Sequence, residues 1–308
     1  MNRGFVAFGL TLLLFANASL CGDEQAALSD STSNQSDPIA LVVMDPLAAP
    51  LSCPCVEGYA QRKYEVLAKY LQSSLGREVK LGFGGALKTA MKKTNGRADI
   101  VIGKQSVVMF DAKDAKVNVT PISRLTDRNG STTQYGMIVV NKDDPAKSVE
   151  DLDGYTIIFG PAEAEEKHAA ALKLLSDAKI SIPSDDRKID LACSDGACKV
   201  VDLGPESQTA AVISSYAQPL LEGCGTIKKG DLRVVAKTSK VPFVTLFVND
   251  QMSETDRSKL TRSLAKIPSE RGVLEALESL VGFMPVKEAD KAAATKPTEK
   301  ETAAVKKK

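Results

Sequence analysis

The 308-residue chain has no tryptophan, a single histidine and an aromatic content of 5%. One histidine rules out a multi-histidine metal cage and leaves a Ser-His-Asp hydrolase little to build on. Charge of either sign is not in excess either: Lys+Arg 40 stand against Asp+Glu 39, a formal net charge of +1. That balance argues against a broad nucleic-acid-binding face, because affinity for a phosphate backbone rests on surplus Lys and Arg. No internal repeat is evident, which argues against a solenoid. What is present is a hydrophobic fraction of 43%, enough for packed cores and too much for disorder along the whole chain. The length suggests about two domains.

The two ends read as outside the fold. Residues 1–18 combine Arg3, an apolar run from Gly4 to Phe15 and Ala16-Asn17-Ala18, the pattern of a signal peptide with its cleavage site. The run is short for a membrane span, and no later segment is apolar enough to make one. The mature chain is therefore expected to be exported and soluble. Residues 19–37 read as a disordered tether containing Cys21, a candidate for lipidation and membrane anchoring. Leu20 fits poorly before a lipidated cysteine, where a small residue is wanted, so simple secretion is the preferred alternative. Residues 286–308 are rich in Ala, Lys, Glu and Thr, lack an apolar stripe and read as a disordered, solvated tail.

Between the ends, strand and helix patterns alternate. Strands are predicted at Ile39–Met44, Val79–Phe83, Ile100–Gly103, Val117–Ile122, Tyr135–Val140, Tyr155–Phe159, Val200–Leu203, Leu232–Val235 and Phe243–Val248. Helices are predicted at Tyr59–Leu75, Ala86–Lys93, Gln105–Ala112, Glu163–Asp177, Glu206–Leu221, from the Ser253 cap to Ile267, and at Arg271–Leu280. Such alternation implies an α/β class with parallel sheets and crossover helices. Ligands of open α/β sheets bind beyond the carboxyl ends of strands. The loops after Met44, Phe83, Gly103, Phe159 and Leu203 are thus the places to search.

Four segments carry a resemblance. They are Tyr64–Lys80 (YEVLAKYLQSSLGREVK), Asn95–Val101 (NGRADIV), Ser148–Phe159 (SVEDLDGYTIIF) and a closing stretch with Asp231–Val235 (DLRVV), Pro242-Phe243 and Ser253–Ile267. Their order and spacing resemble the substrate-binding component of ABC transporters for phosphate, phosphite and phosphonate, a type II periplasmic binding protein. The resemblance spans about Ile39 to Ile267. It implies two Rossmann-like lobes joined by two crossing strands: lobe 1 at 38–128 plus 246–285, lobe 2 at 134–240, and crossings near Tyr135–Val140 and Phe243–Val248. It further implies a monomer that captures a small polar or anionic ligand between the lobes and delivers it to a permease and ATPase. No catalysis, cofactor or nucleic acid is implied.

The ligand-binding set implied is Tyr59, Gly84, Lys104, Gln105, Ser106, Glu163, Glu206, Ser207, Gln208 and Thr209. The chain departs from the family where hydroxyl residues would cradle an oxyanion. There it reads Gly160-Pro161-Ala162-Glu163-Ala164-Glu165-Glu166. Carboxylates in the first turns of a helix complement its dipole with no ligand at all. They also repel a phosphate dianion unless Lys104 or Lys167 compensates, so phosphonate specificity is not carried over. Glu163 and Glu206 would suit a solute bearing an amine or a bound cation. His168, in register with Leu172 and Leu175, reads as a core histidine rather than a ligand.

Export permits disulfides. Cys193 and Cys198 bracket Ser194-Asp195-Gly196-Ala197, and a bridge closing that turn is predicted. Cys53 and Cys55, separated by Pro54, seldom bridge each other without strain. Either they pair elsewhere, Cys224 being a distant candidate, or they are soft ligands for Cu(I) or Zn(II), aided by Met44 or Met109. The second option supports another function on the same fold, a thiol- or metal-handling accessory protein. An enzyme is the weakest reading, since no nucleophile and base stand at informative spacing.

Overall fold

In the computed structural model, residues 37–52 and 61–287 are described. The signal peptide, the tether through residue 36, the tail beyond residue 287, and Cys21, Cys53, Cys55 and Tyr59 lie outside them. In chain order the first part holds β1 (Ile39–Met44), α1 (Tyr64–Leu75), β2 (Val79–Phe83), α2 (Leu87–Met91), β3 (Ile100–Lys104), α3 (Gln105–Ala115) and β4 (Val119–Leu125). The middle holds β5 (Thr133–Gln134), β6 (Gly136–Asn141), β7 (Thr156–Phe159), α4 (Ala169–Asp177), β8 (Lys188–Ile189), α5 (Cys193–Leu203), β9 (Thr209–Ser214), α6 (Ala217–Gly223), β10 (Leu232–Lys237) and β11 (Val241–Pro242). The chain then returns through β12 (Val244–Asn249), α7 (Glu254–Lys266), α8 (Arg271–Ala276) and β13 (Phe283–Pro285).

β1 is buried at every position, as an unbroken apolar run requires when both sheet faces are covered. It pairs in parallel with β2 on one side and β3 on the other, within a six-stranded sheet ordered β13-β4-β12-β3-β1-β2. The chain thus reverses its direction of travel across the sheet at β1, the switch point where open α/β sheets leave a crevice. One face packs on α1 through Leu67 and Leu71 and on α7 through Leu260 and Leu264. The other packs on α2 and α3 through Leu87, Ala90, Val108 and Ala112. Gly76 ends α1 in the left-handed conformation that its missing side chain permits.

The second sheet is ordered β10-β6-β9-β7-β8, with β7 parallel to both β8 and β9. It too is covered on both faces, by α4 through Ala171 and Leu175 and by α5 and α6 through Ala197, Val200, Ala217 and Leu221. Between the sheets β5 and β11 form a separate antiparallel ribbon, Thr133 opposite Pro242 and Gln134 opposite Val241. The crossing therefore lies just ahead of the segments expected to make it. β6 belongs wholly to the second sheet and β12 to the first.

Four expectations fail between residues 160 and 221. The segment Glu163–His168 is not a helix opening; a single 3₁₀ turn spans Glu165–Lys167, and α4 begins only at Ala169. The strand expected at Val200–Leu203 is the end of α5, and the helix expected from Glu206 holds β9 before α6. Cys193 and Cys198 form no disulfide; both thiols are free and lie on one helix. Five residues apart on a helix, they point about 140° from each other. Gly196 had suggested a turn, but it serves close packing: a Cβ there would stand 3.1 Å from the Cβ of Ala211 on β9.

Candidate functional site

The carboxyl ends of β1 and β3 face those of β7, β8 and β9 across a cavity of about 430 Å³. Met44, Leu47, Lys104 and Val107 line it from the first sheet; Glu163, Lys167, Leu191, Cys193 and Tyr216 line it from the second. Its walls are mainly apolar, and its charge is arranged by the loop 160–168.

Lys104, the last residue of β3, is 7% exposed and pairs with the carboxylate of fully buried Glu166. The same Glu166 oxygen accepts the Ser214 hydroxyl at 2.7 Å. Burial pushes the Glu166 carboxyl up, but the Lys104 charge and the bonds from Lys104 and Ser214 together outweigh it, holding the group below its usual range. Glu165, by contrast, is raised by burial and by the Glu166 charge. Ser106 makes a second bridge from the first sheet to this loop. Its hydroxyl donates to the Glu163 carbonyl at 2.7 Å and accepts from the Glu165 N–H at 3.3 Å.

The loop is closed on itself. Gly160 N–H donates to Lys167 carbonyl at 3.2 Å, and Lys167 and His168 N–H both donate to Ala164 carbonyl. His168 is buried beside Phe159, its Nδ1 2.8 Å from the Gly160 carbonyl. A carbonyl only accepts, so Nδ1 carries the proton. The histidine is a packed residue, at the cap of α4 rather than within it. Gly136 on β6 makes room for the loop, since a Cβ there would fall 2.1 Å from the Glu166 carbonyl oxygen. Gly136→Ala should therefore destabilise the protein by about 1–3 kcal/mol through overpacking against backbone. A urea midpoint equal to wild type would contradict this close approach.

Lys167 is 5% exposed and lines the cavity, its stem lying across Gly160. Its ammonium donates to the Leu191 carbonyl at 3.3 Å. Among the described residues no carboxylate forms an ion pair with it. On the other flank Asp45, fully buried, accepts from Arg62 at 2.8 Å, from the Tyr64 hydroxyl at 2.6 Å and from Leu47 N–H at 3.0 Å. The Arg62 guanidinium sits 5.4 Å from the centroid of Phe243, and Phe243 stacks on Tyr216 at 5.2 Å with the rings 16° from parallel. Lys104 lies 5.9 Å from the other ring's centroid. A file of cations and rings thus runs from Asp45 to Glu166. Burial, reinforced by Cys193 and Glu166, holds the Tyr216 phenol well above its usual value.

Of the residues expected to bind ligand, Lys104, Ser106 and Glu163 meet at this cavity or its rim. Gln105 turns away, accepting from Thr245 at 3.2 Å and Arg124 at 3.4 Å. Gly84 gives its N–H to the Val43 carbonyl at 3.1 Å, and a Cβ there would meet Ala90 N at 2.7 Å, so it is a packing glycine; its neighbour Gly85 lines the cavity. Glu206, Ser207, Gln208 and Thr209 lie at the amino end of β9, where the Gln208 carbonyl accepts from Thr156 at the start of parallel β7. The cavity is at the opposite ends of those strands, so the error of one element displaced the expected loop to the wrong edge. Tyr59 is outside the described residues. Asp45, Arg62, Ser214 and Tyr216 were missed; Lys167 entered only as a compensating cation and Glu166 only as one of three carboxylates, neither in the ligand-binding set. Asp45 and Tyr216 had a signal, each standing within two residues of the end of a fully buried strand.

Two α/β sheets, a crossing ribbon and a solute-sized cavity at the facing carboxyl edges define a two-lobed binding protein. A family model described as "ABC transporter, phosphonate, periplasmic substrate-binding protein" matches residues 58–292, and the chain belongs to that family. Three solved structures share the fold. A binding-protein component of an ABC phosphonate transporter from Pseudomonas aeruginosa is 15% identical, with 82% of each chain covered and a TM-score of 0.62. A Xanthomonas citri protein bound to ATP is 16% identical, covering 84% of this chain and 94% of the other, at 0.61. PhnD1 of Prochlorococcus marinus, in complex with methylphosphonate, is 13% identical, covering 82% and 93%, at 0.58. No curated protein matches the chain. The family is periplasmic and serves solute capture for an ABC permease.

Proposed function

We propose that this protein captures a small ligand with an apolar body and no more than one net negative charge, and presents it to its permease and ATPase. The observation that carries this reading is Glu166. A buried carboxylate from the protein already neutralises Lys104, the cation at the carboxyl end of β3. Lys167 is left facing apolar walls, with Glu163 also lining the cavity. Such a charge balance repels a phosphate dianion and accepts a monoanion or a zwitterion. The protein acts as a monomer without turnover and without a cofactor. It is secreted by signal-peptide cleavage, with lipidation at Cys21 as the alternative. The thiol- or metal-handling reading finds no support among the described residues, where no group of three or more His, Cys, Asp or Glu gathers; Cys53 and Cys55 lie outside them.

Calorimetric titration of the mature protein tests the reading. Hexanoate and butanesulfonate should bind about tenfold or more tighter than phosphate or methylphosphonate at mildly alkaline pH, a margin of about 1.4 kcal/mol. Lys167→Met should remove most of that affinity. Phosphate or methylphosphonate binding tighter than both monoanions would overturn it.

A further inference from the structure

Two opposite charges border the cleft with no counter-charge of their own. Glu163 and Lys167 both line the cavity of about 430 Å³. They stand four residues apart in one loop, yet among the described residues neither forms an ion pair, with the other or with any third group. Their charged atoms are therefore more than 4.0 Å apart. Each residue is tied to a different element. Ser106, in the first turn of α3, donates to the Glu163 carbonyl at 2.7 Å and holds that residue against the first lobe. The Lys167 ammonium donates to the Leu191 carbonyl at 3.3 Å, just ahead of α5. Their neighbours in the lining are Val107, Pro161, Ala164 and Leu191, all apolar.

Glu163 is not the only carboxylate at its end. Asp111 follows the cavity-lining Val107 by four residues, on the same face of α3. It accepts from Leu87 N–H at 2.8 Å. Burial first, and then the Glu163 charge, hold its carboxyl above the usual range. Lys88 acts on it too, but pairs with Asp114 at 2.6 Å. A carboxylate from each lobe thus meets at one rim, and like charges so placed repel unless a cation joins them. At the other end Lys167, 5% exposed, is a buried ammonium without a counter-charge, which is equally unfavourable. A monoanion satisfies only the Lys167 end. An α-amino acid carries both charges on one carbon, with its apolar part to the side of them. A methylene chain with a carboxylate at one end and an ammonium at the other sets each charge at its pole and its body along the apolar lining. We propose that the cleft takes a linear ω-amino carboxylate, its carboxylate on Lys167 and its ammonium between Glu163 and Asp111. This rests on the capture of a small solute with an apolar body in the same cleft, and narrows that solute to a zwitterion with separated charges.

The test is calorimetric titration of the mature protein with 6-aminohexanoate, hexanoate and L-norleucine, which share one carbon count and differ in where, or whether, they carry an ammonium. 6-Aminohexanoate should bind about tenfold tighter than either of the others. Glu163→Gln should remove most of its margin over hexanoate, and adding Asp111→Asn the rest. Glu163 meets Ser106 through its carbonyl, so the substitution leaves that bridge in place. Lys167→Met should weaken 6-aminohexanoate and hexanoate alike. The proposal is overturned if hexanoate or L-norleucine binds as tightly as 6-aminohexanoate, or if the margin survives intact in Glu163→Gln. A phosphate titration separates the two levels of the reading. Hexanoate that outbinds phosphate while matching 6-aminohexanoate sinks this inference and leaves the broader one standing. Phosphate that outbinds both sinks the two together.

Discussion

Glu166→Gln is expected to lower stability at neutral pH by about 3–5 kcal/mol, the usual consequence of removing one member of a buried ion pair. Glu166 is fully buried and Lys104 nearly so, and neutralising the first leaves the second without a counter-charge. For a domain of this size the melting temperature should fall roughly 2–4 °C per kcal/mol. The wild type should show the matching pH dependence. The folded-state pKa of Glu166 lies below its unfolded value, so the carboxylate contributes fully above that unfolded value, about 4.3. The contribution is lost as the pH falls through the depressed folded-state value. Glu166→Gln should be flatter across that acid range. The variant also frees Lys104 for an external anion. Millimolar phosphate should raise its melting temperature by mass action and leave the wild type unmoved. Equal melting temperatures for variant and wild type at neutral pH would show that the pair does not hold the lobes together.

Asp45→Ala should be comparably damaging, about 3–5 kcal/mol by urea unfolding. It strands the Arg62 guanidinium and removes the acceptor of the buried Tyr64 hydroxyl. Burial and Asp45 together hold that phenol well above its ordinary value, so it cannot ionise to compensate. Asp45→Asn, which keeps an acceptor for Tyr64, should fall between alanine and wild type. Asp45 and Glu166 close the two ends of one file of stacked groups, so their losses should not simply add. Strict additivity in the double variant would mean that the stack carries no coupling between its ends.

Much of the fold could be read in advance where burial is two-sided. β1, β3, β6 and β12 are runs of apolar residues that no surface element would tolerate. Reading failed where composition and packing disagree. Gly196 and its flanking Ser194 and Asp195 have the chemistry of a turn, yet the small side chain is what lets α5 rest on β9. β9 itself, Thr-Ala-Ala-Val-Ile-Ser, opens on two alanines directly after Glu206-Ser207-Gln208, and these good helix formers made it pass for helix. That displacement cost the site Ser214 and Tyr216. Glu166 could not be assigned from sequence at all. Three glutamates in four residues look alike, and only the turn at 165–167 decides which one points to Lys104. The short β13, with two of three residues exposed, gave no pattern to read.

The file of cations and rings has a kinetic meaning. Arg62 and Lys104 precede the second sheet in the chain, Tyr216 and Glu166 belong to it, and Phe243 follows the crossing ribbon. Parting the lobes must therefore slide Tyr216 off its neighbours and break the Lys104–Glu166 pair in a single event. Partial opening relieves nothing, because the ion pair stays desolvated until the rings have moved. Ligand entry then waits on how often the protein lets go of itself. The observed association rate should level off as solute is added, with the plateau set by the opening rate rather than by encounter.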